Sequence, residues 1–280
     1  MKKQITLLAI ALLFMANLMG QSPANAPIKL RVASYNVGHF NQGMKGGLEV
    51  RGKSFYPKNK TVTGSFIKQE LYAWRKWIGE QSLDIFGIQE WNKNFDQDST
   101  YVAETELLKP YYNHVYFGDE HTWIYNGIAT NYQLTNLRKK HISGDYYALI
   151  GDLKIGNKTI QIISMHIPWT KEEHAPALDL LMSELKKYKY FICFGDTNAK
   201  DAEILRFQEA GFNIANGGNQ GWFATAANGL NQSLMKDSPD KHIDNIITSK
   251  NIKIMKVSAP LTGLNDLDHL PVIADVIITE

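Results

Sequence analysis

The chain of 280 residues is 44% hydrophobic, which is enough to bury one sizeable core, and no linker rich in Pro, Gly or Ser divides it. One large domain is therefore expected. The 30 basic and 28 acidic residues leave a formal charge of only +2, which argues against a general polyanion binder. The single cysteine, Cys193, excludes a disulfide framework and a cysteine-rich zinc site.

The first 26 residues differ from the rest. Lys2 and Lys3 precede an apolar run at residues 5–19, and small and polar residues follow it. This order is typical of a secretory signal peptide, and the run is short for a membrane span. We predict a signal peptide at residues 1–26, one domain at residues 27–280, and export to the periplasm, the cell surface or the medium. Without the leader, 28 basic residues face 28 acidic ones, so the mature chain is neutral.

Two buried strands are predicted in the first third of the mature chain. Residues 30–37 form an apolar run with Asn36 near its end, and residues 83–90 form another that ends in Glu90. Between them, apolar residues recur at helical spacing over residues 65–80, which predicts an amphipathic helix. Each predicted strand thus delivers an oxygen-bearing side chain at its exit.

A basic loop follows the first strand. Residues 41–60 contain five basic residues and one acidic residue, and Lys53 and Lys58 are among the basic ones. Such a loop is either a solvated surface or part of a substrate rim, and a loop that leaves the end of a metal-binding strand should lie beside the metal. His39, three residues after Asn36, is a further candidate to line the site.

The middle of the chain predicts a short helix and several strands. The helix lies within residues 99–108, and the aromatic-rich residues 111–131 indicate one or two strands around a turn. Residues 146–155 and 158–166 form a predicted hairpin with a Gly-Asn turn. Its second strand ends in His166, which is followed by Ile-Pro-Trp.

A helix and then a buried strand are predicted after the hairpin. The start of the helix is ambiguous, because Thr170 with a glutamate three residues later is typical of a capping box, whereas Pro176 favours a later start. The strand, residues 191–196, breaks at a Gly-Asp pair. Asp196 and Asn198 leave it two residues apart, which is typical of a site for a hard cation or a phosphoryl group but also of a simple turn.

The last quarter of the chain predicts three strands and two loops. The strands are residues 242–247, 252–257 and 271–279, and the loops are residues 212–240 and 264–270. The first strand carries Asp244, the first loop carries Trp222 and Phe223, and the second loop carries Asp268 and His269.

The polar residues at the strand ends belong to six short motifs: SYNV, GIQE, MHIP, GDTN, HIDNI and LDHLP. In this order, over residues 30–275, they resemble the successive motifs of the endonuclease/exonuclease/phosphatase superfamily. The resemblance implies a four-layer α/β sandwich, in which two mainly antiparallel β-sheets pack face to face with helices outside, as in deoxyribonuclease I. A histidine at position 166 resembles the deoxyribonuclease I, sphingomyelinase and inositol-phosphatase branches.

The resemblance also implies a metal site. Glu90 would be the principal ligand of Mg²⁺, with Asn36 beside it, and Asp268 would support the metal or a water in its outer shell. Hard cations prefer such oxygen ligands and keep several waters. Mn²⁺ and Ca²⁺ are the alternative cations.

By the same resemblance, five residues are catalytic. His269 would take a proton from the attacking water, and Asp244 would hold the His269 imidazole in the required tautomer. Asp196 and Asn198 would orient the phosphate, the nucleophile or a second metal. His166 would bond a phosphoryl oxygen or protonate the leaving group.

The expected function is an exported, Mg²⁺-dependent hydrolase of phosphodiesters, with a nuclease as one option. The alternatives are a phosphatase or phosphodiesterase on a lipid or small-molecule phosphate, and a non-catalytic binding module of the same fold. Lys53, Lys58, Trp222, Phe223 and His39 are expected to contact the substrate. We expect a monomer without a stable membrane span, whose partner is a phosphoester: nucleic acid, lipid or small molecule.

Overall fold

A computed structural model describes residues 27–41, 65–96, 99–118, 125–226, 241–262, 264 and 269–279. The predicted signal peptide, Lys53, Lys58 and Asp268 lie outside these ranges. Within them, no helix combines the length and the apolar character needed to cross a bilayer.

Twelve strands and three α-helices make up the described chain. The strands are β1 (Ile28–Asn36), β2 (Ile85–Gln89), β3 (His114–Phe117), β4 (Gly127–Thr130), β5 (Leu134–Ser143), β6 (Tyr146–Ile155), β7 (Lys158–His166), β8 (Phe191–Asp196), β9 (Asn213–Ile214), β10 (Asp244–Thr248), β11 (Ile252–Ser258) and β12 (Val272–Ile278). The helices are α1 (Ser65–Gln81), α2 (Lys171–Leu185) and α3 (Asp201–Glu209). Short 3₁₀ turns at Gly38–Asn41 and Gly218–Gln220 and a π-helical turn at Glu104–Leu108 complete the list.

The strands form two six-stranded sheets. The order is β11-β12-β1-β2-β4-β3 in the first sheet and β5-β6-β7-β8-β10-β9 in the second. Among the described pairings, β1 with β2 and β7 with β8 are parallel, and the others are antiparallel. The four-layer sandwich of two mainly antiparallel sheets, which the resemblance implied, is therefore confirmed.

Side-chain alternation along the strands produces the layers, since neighbouring residues of a strand point to opposite faces. In β1, Leu30 and Val32 belong to the core between the two sheets. Tyr35 points the other way and packs against Trp74 and Trp77 of α1, with ring centroids 5.8 and 5.3 Å apart. A third cluster joins the second sheet to α2 and α3 and includes Cys193, whose thiol pKa is raised by burial.

The two sheets approach closely beneath one end of the sandwich. A Cβ atom at Gly87 of β2 would lie 2.3 Å from the Cβ of Phe194 in β8, a separation that atoms do not tolerate. Beside this contact, the buried Gln89 side chain donates to Ser164 Oγ at 3.2 Å and accepts from Ser34 Oγ at 3.3 Å. A glycine and a polar bridge thus fix the spacing of the sheets just before Glu90.

Most of the predicted elements are confirmed, with small differences at their ends. The helix at residues 65–80, the hairpin with its Gly-Asn turn and the strand at residues 191–196 are all present. The strand predicted from residue 242 begins at Asp244, and the predicted helix within residues 99–108 is a π-helical turn. These differences concern boundaries and helix type, not the order of the elements.

Helix α2 resolves the ambiguity at its start. It begins at Lys171, as the capping-box alternative required, although the Thr170 hydroxyl accepts no backbone N–H and instead donates to the Glu173 carboxylate at 2.7 Å. Pro176 lies inside the helix, where it removes one backbone donor.

We expect Gly87→Ala to destabilise the fold. Because the added Cβ meets the Cβ and ring of Phe194, relief requires the sheets to move apart, and overpacking of this kind costs about 3 kcal/mol or more. Urea unfolding measures the loss. Gly156→Ala is the control, since its Cβ has nothing within 4 Å and only the φ of +59° opposes it; its loss should be smaller. Equal losses for the two variants would contradict the close approach of the sheets.

Candidate active site

Strand register places three polar residues side by side in the second sheet. His166 ends β7 and is registered with Asp196, the last residue of the parallel strand β8. Asp244 begins β10 and is registered with Asp196 from the other side, because β10 runs antiparallel to β8. A row of one imidazole and two carboxylates therefore lines this edge of the sheet.

The first sheet contributes its residues at the same end of the sandwich. Asn36 is the last residue of β1, and Glu90 follows the parallel strand β2 directly. The Asn36 amide nitrogen donates to Glu90 Oε1 at 3.0 Å and to Asp196 Oδ2 at 3.2 Å. This one side chain thus connects the carboxylates of the two sheets, while its oxygen accepts the Gly38 N–H at 2.9 Å.

The backbone turns sharply where three of these strands end. His39, Glu90 and Asn198 have φ angles of 51°, 50° and 47°, in the left-handed region that side chains rarely adopt. Residues held in this region cost roughly 1–3 kcal/mol each and cluster at functional sites. Here they let each strand end abruptly at the edge where the polar groups gather.

His269 and Asp244 form a buried pair. The distance between His269 Nδ1 and Asp244 Oδ2 is 2.8 Å. Because a carboxylate accepts, Nδ1 carries the proton, and Nε2 lies 3.7 Å from Asp196 Oδ2. Burial raises the pKa of Asp244 to about 6, although His269 partly offsets this. An isolated antiparallel β-bridge joins His269 to Ala226.

His166 lies between two carboxylates. Its Nδ1 is 3.7 Å from Glu90 Oε1, and its Nε2 is 3.4 Å from Asp196 Oδ2 and 3.2 Å from Asn198 Nδ2. Burial alone would lower the pKa of His166, but Asp196 and Glu90 outweigh it and raise the pKa. Burial would likewise raise the pKa of Asp196, but His166, His269 and the Asn198 N–H hold it at about 2. The imidazolium form of His166 is thus favoured.

His39 occupies the other side of Glu90. Its ring is buried, with Nδ1 3.1 Å from the Trp91 carbonyl oxygen and Nε2 3.5 Å from Glu90 Oε2. Burial lowers the pKa of His39, although Glu90 and the Trp91 carbonyl act in the opposite direction. The sequence analysis predicted His39 only as a residue that could line the site. In the structure its ring lies beside the carboxylate of Glu90, the predicted metal ligand.

The group of acceptors fits a divalent cation. Ligand atoms of Asp196, Asp244 and His269 lie within 4.8 Å of one another. Among the described buried side chains, Asp244 Oδ1 is an acceptor without a hydrogen-bond partner. Buried carboxylates need compensating positive charge, and oxygen donors suit hard cations. Glu90 and the amide nitrogen of Asn36 stand next to this group, so the polar cluster extends across both sheets.

The predicted aromatic rim lies on the loop before β10. Trp222 is 39% exposed and its ring centroid is 5.2 Å from that of His242. The buried Asn216 side chain donates to the Phe223 carbonyl and accepts the Phe223 N–H, both at 2.8 Å, and also donates to the Asp244 carbonyl at 3.1 Å. The loop is therefore tied to the strand that carries Asp244.

The structure brings together eight of the predicted site residues: Asn36, His39, Glu90, His166, Asp196, Asn198, Asp244 and His269. Sequence reasoning missed Gln89. Its side chain bridges the sheets immediately before Glu90, and its signal was a polar residue inside an apolar run.

Comparisons with known proteins identify the fold. No protein-family model and no curated protein matches the sequence. Among solved structures, an endonuclease/exonuclease/phosphatase family protein from Bacteroides thetaiotaomicron is similar, with a TM-score of 0.63, 16% identity, and coverage of 91% of this chain and 96% of that one. TDP2 from Caenorhabditis elegans gives a TM-score of 0.59 and 16% identity over 89% of this chain and 74% of that one.

A third similar structure carries a ligand. ANGEL2, a 2′,3′-cyclic phosphatase in complex with adenosine-2′,3′-vanadate, gives a TM-score of 0.63 and 12% identity over 91% of this chain and 97% of that one. The chain therefore has the endonuclease/exonuclease/phosphatase fold, the class that the six sequence motifs resemble.

The amide of Asn36 should keep the site stable without a cation. Removal of the Asn36 amide leaves the buried carboxylates of Glu90 and Asp196 without a shared donor, which should lower the free energy of unfolding by about 1–3 kcal/mol. We expect Asn36→Ala to lower the free energy of unfolding in EDTA by this amount, and Asn36→Asp to lower it further. Thermal unfolding of both variants, with Asn251→Ala as a control whose amide is exposed, measures the effect. Unchanged stability of both variants would contradict the role.

Proposed function

We propose that this protein is a metal-dependent phosphoesterase that uses water to hydrolyse a phosphodiester. The observation that carries the proposal is the His269–Asp244 pair, held at 2.8 Å against a group of buried carboxylates. Phosphoester hydrolysis needs an activated water, compensation of charge on the phosphoryl oxygens and a stabilised leaving group. The residues gathered at the end of the sandwich can meet each requirement.

His269 acts as the general base. Asp244 accepts from Nδ1, so the neutral ring presents Nε2 as the acceptor for a proton from water. Asp244 also stabilises the imidazolium that results. This is a positioning role for the carboxylate, comparable to that of the aspartate in other catalytic His–Asp pairs.

A divalent cation, with Mg²⁺ as the first candidate, would be held by Glu90 with Asn36 beside it. When bound, such a cation would neutralise charge on phosphoryl oxygens and make a coordinated water more acidic. Because the Asn36 nitrogen faces Glu90 and its oxygen accepts the Gly38 N–H, the amide would have to turn to offer its oxygen on the Glu90 side. Asp196, held ionised, can contribute to the same or a neighbouring cation.

His166 and Asn198 serve the phosphoryl oxygens and the leaving group. The raised pKa of His166 favours the protonated ring, which is a donor of hydrogen bonds and a general acid. The Asn198 amide donates to the Ile167 carbonyl at 2.9 Å, and this contact fixes the amide beside the His166 ring.

The rim and one similar protein support two candidate classes of substrate. ANGEL2, a 2′,3′-cyclic phosphatase bound to an adenosine vanadate, supports a nucleotide-containing phosphoester. The exposed Trp222 and Trp169 support a second candidate, a lipid or small-molecule phosphoester, because indole rings pack equally well against acyl chains and sugars. Assays on plasmid DNA, RNA, a nucleoside 2′,3′-cyclic phosphate, sphingomyelin and a phosphomonoester separate these candidates.

The role assignments lead to a direct test. His269→Ala and Glu90→Gln should each reduce turnover by about 10²-fold or more, because each removes a group placed at the reaction. Activity is measured after chelation and restoration of the cation, with circular dichroism to verify the fold. His141→Ala is the control, since its ring bonds only the Gly144 carbonyl at the surface. Near-normal activity of either site variant on every accepted substrate would refute the mechanism.

We also propose that residues 1–26 direct export and that residues 27–280 function as a single monomeric domain. The supporting observation is the lysine-led apolar run of the leader. Expression of the full chain, followed by fractionation and intact-mass measurement, should give an exported product that starts between residues 20 and 27. A product that keeps its leader and stays in the cytosol would contradict export. Size-exclusion chromatography tests the monomer.

A further inference from the structure

His39 is a histidine of the site that has no role in the proposed chemistry, although its backbone and its side chain are both tightly held. It lies three residues after Asn36, in a left-handed conformation with φ 51°. Its backbone N–H donates to the Glu90 carbonyl at 2.8 Å, so the two residues are tied through the main chain as well. Its side chain is only 3% exposed. Strained residues cluster at functional sites, so a buried histidine in this conformation is a candidate for a role at the site.

The proton of the His39 ring can be assigned from its contacts. Nδ1 lies 3.1 Å from the Trp91 carbonyl oxygen, which can only accept, so Nδ1 carries a proton. When Nδ1 holds the single ring proton, Nε2 has a lone pair, and this atom stands 3.5 Å from Glu90 Oε2. Two atoms with acceptor lone pairs therefore face each other.

The separation of these atoms suits a shared cation better than a hydrogen bond. Good N–H···O bonds span about 2.7–3.2 Å, which is shorter than the 3.5 Å observed. Two ligand atoms that bind the same first-row cation, each at about 2.0–2.2 Å, lie no more than roughly 4.4 Å apart. The observed 3.5 Å is within this limit. We infer that His39 Nε2 and Glu90 Oε2 are ligands of one divalent cation. This inference rests on the cation site of the proposed function and adds a nitrogen ligand to it.

The other nitrogen of the ring supports the same assignment. Histidines that bind metals almost always donate their second ring N–H to a carboxylate, a carbonyl or water, which fixes the tautomer and the ring orientation. The Trp91 carbonyl plays that part for His39. Trp91 itself is locked by an edge-to-face contact with Phe40, at 4.7 Å between ring centroids. The ring of His39 is thus oriented before any cation arrives.

A nitrogen ligand changes which cation the site prefers. Mg²⁺ and Ca²⁺ take oxygen ligands, whereas imidazole suits first-row transition metals and zinc. His166 faces the other oxygen of Glu90, at 3.7 Å, and its second ring nitrogen is already engaged by Asp196 at 3.4 Å and Asn198 at 3.2 Å. The site should therefore bind Mn²⁺, a transition metal that accepts both carboxylate oxygens and imidazole, more tightly than Mg²⁺.

The test measures cation binding and not activity. Mn²⁺ affinity of the chelated mature protein is determined by electron paramagnetic resonance, and pulsed measurements detect coupling of the bound Mn²⁺ to the ¹⁴N of histidine. We expect His39→Gln to weaken Mn²⁺ binding by about 10-fold or more and to abolish the coupling. Mg²⁺ affinity, from competition, should change far less. His141→Gln is the matched control and should bind as the unaltered protein does.

The outcomes separate this inference from the proposed function. Glu90→Gln should abolish Mn²⁺ binding. If it does, and His39→Gln retains both affinity and coupling, the His39 assignment is wrong and the cation site stands. If neither variant loses Mn²⁺, both proposals fail. Should His39→Gln not fold, the His166→Gln/His269→Gln double variant decides, because persistent coupling there supports His39 and its loss overturns the assignment.

Discussion

The electrostatic constraint on this molecule is that three carboxylates, Glu90, Asp196 and Asp244, are buried close together at one end of a sandwich. Buried charges of one sign are costly unless they are paired or bind a cation. The Asn36 amide and the imidazoles of His166 and His269 offset part of that cost. The tight strand ends and the close approach of the sheets keep water away from these groups. Looser packing of the sheets would admit water and weaken every one of these contacts.

Most of the strands could be predicted from the sequence, because an apolar run that ends in a polar residue indicates a buried strand whatever it packs against. It missed β5, whose residues are mostly exposed and show no clean alternation, and it missed α3. The contact of Gly87 with Phe194 and the bridge from Asn36 to Asp196 were invisible, since they join residues more than 100 positions apart. The ring orientation of His39 was equally hidden, because it depends on a backbone carbonyl and a left-handed turn.

The unpredicted helix α3 contacts the segments that carry two exposed tryptophans, Trp222 and Trp169. In its first turn, Asp201 Oδ1 lies 2.9 Å from His242, whose ring is tilted against that of Trp222 at 5.2 Å between centroids. Glu203 lies 3.3 Å from His174, whose other nitrogen bonds the Pro168 carbonyl beside Trp169. The segments that carry both exposed tryptophans are therefore anchored to one turn of helix α3.

The pairing of β1 with β12 has a consequence for how the protein folds during its synthesis. These strands are registered from Ile28 with Ile278 to Ser34 with Val272, and β12 separates β1 from β11. During synthesis, β1 emerges long before its neighbour exists, so the first sheet must remain open until the final strand is translated. His269 arrives only three residues ahead of that strand. A growing chain thus contains Glu90, Asp196 and Asp244 before His269, so the His269–Asp244 pair can form only when this part of the chain has been translated.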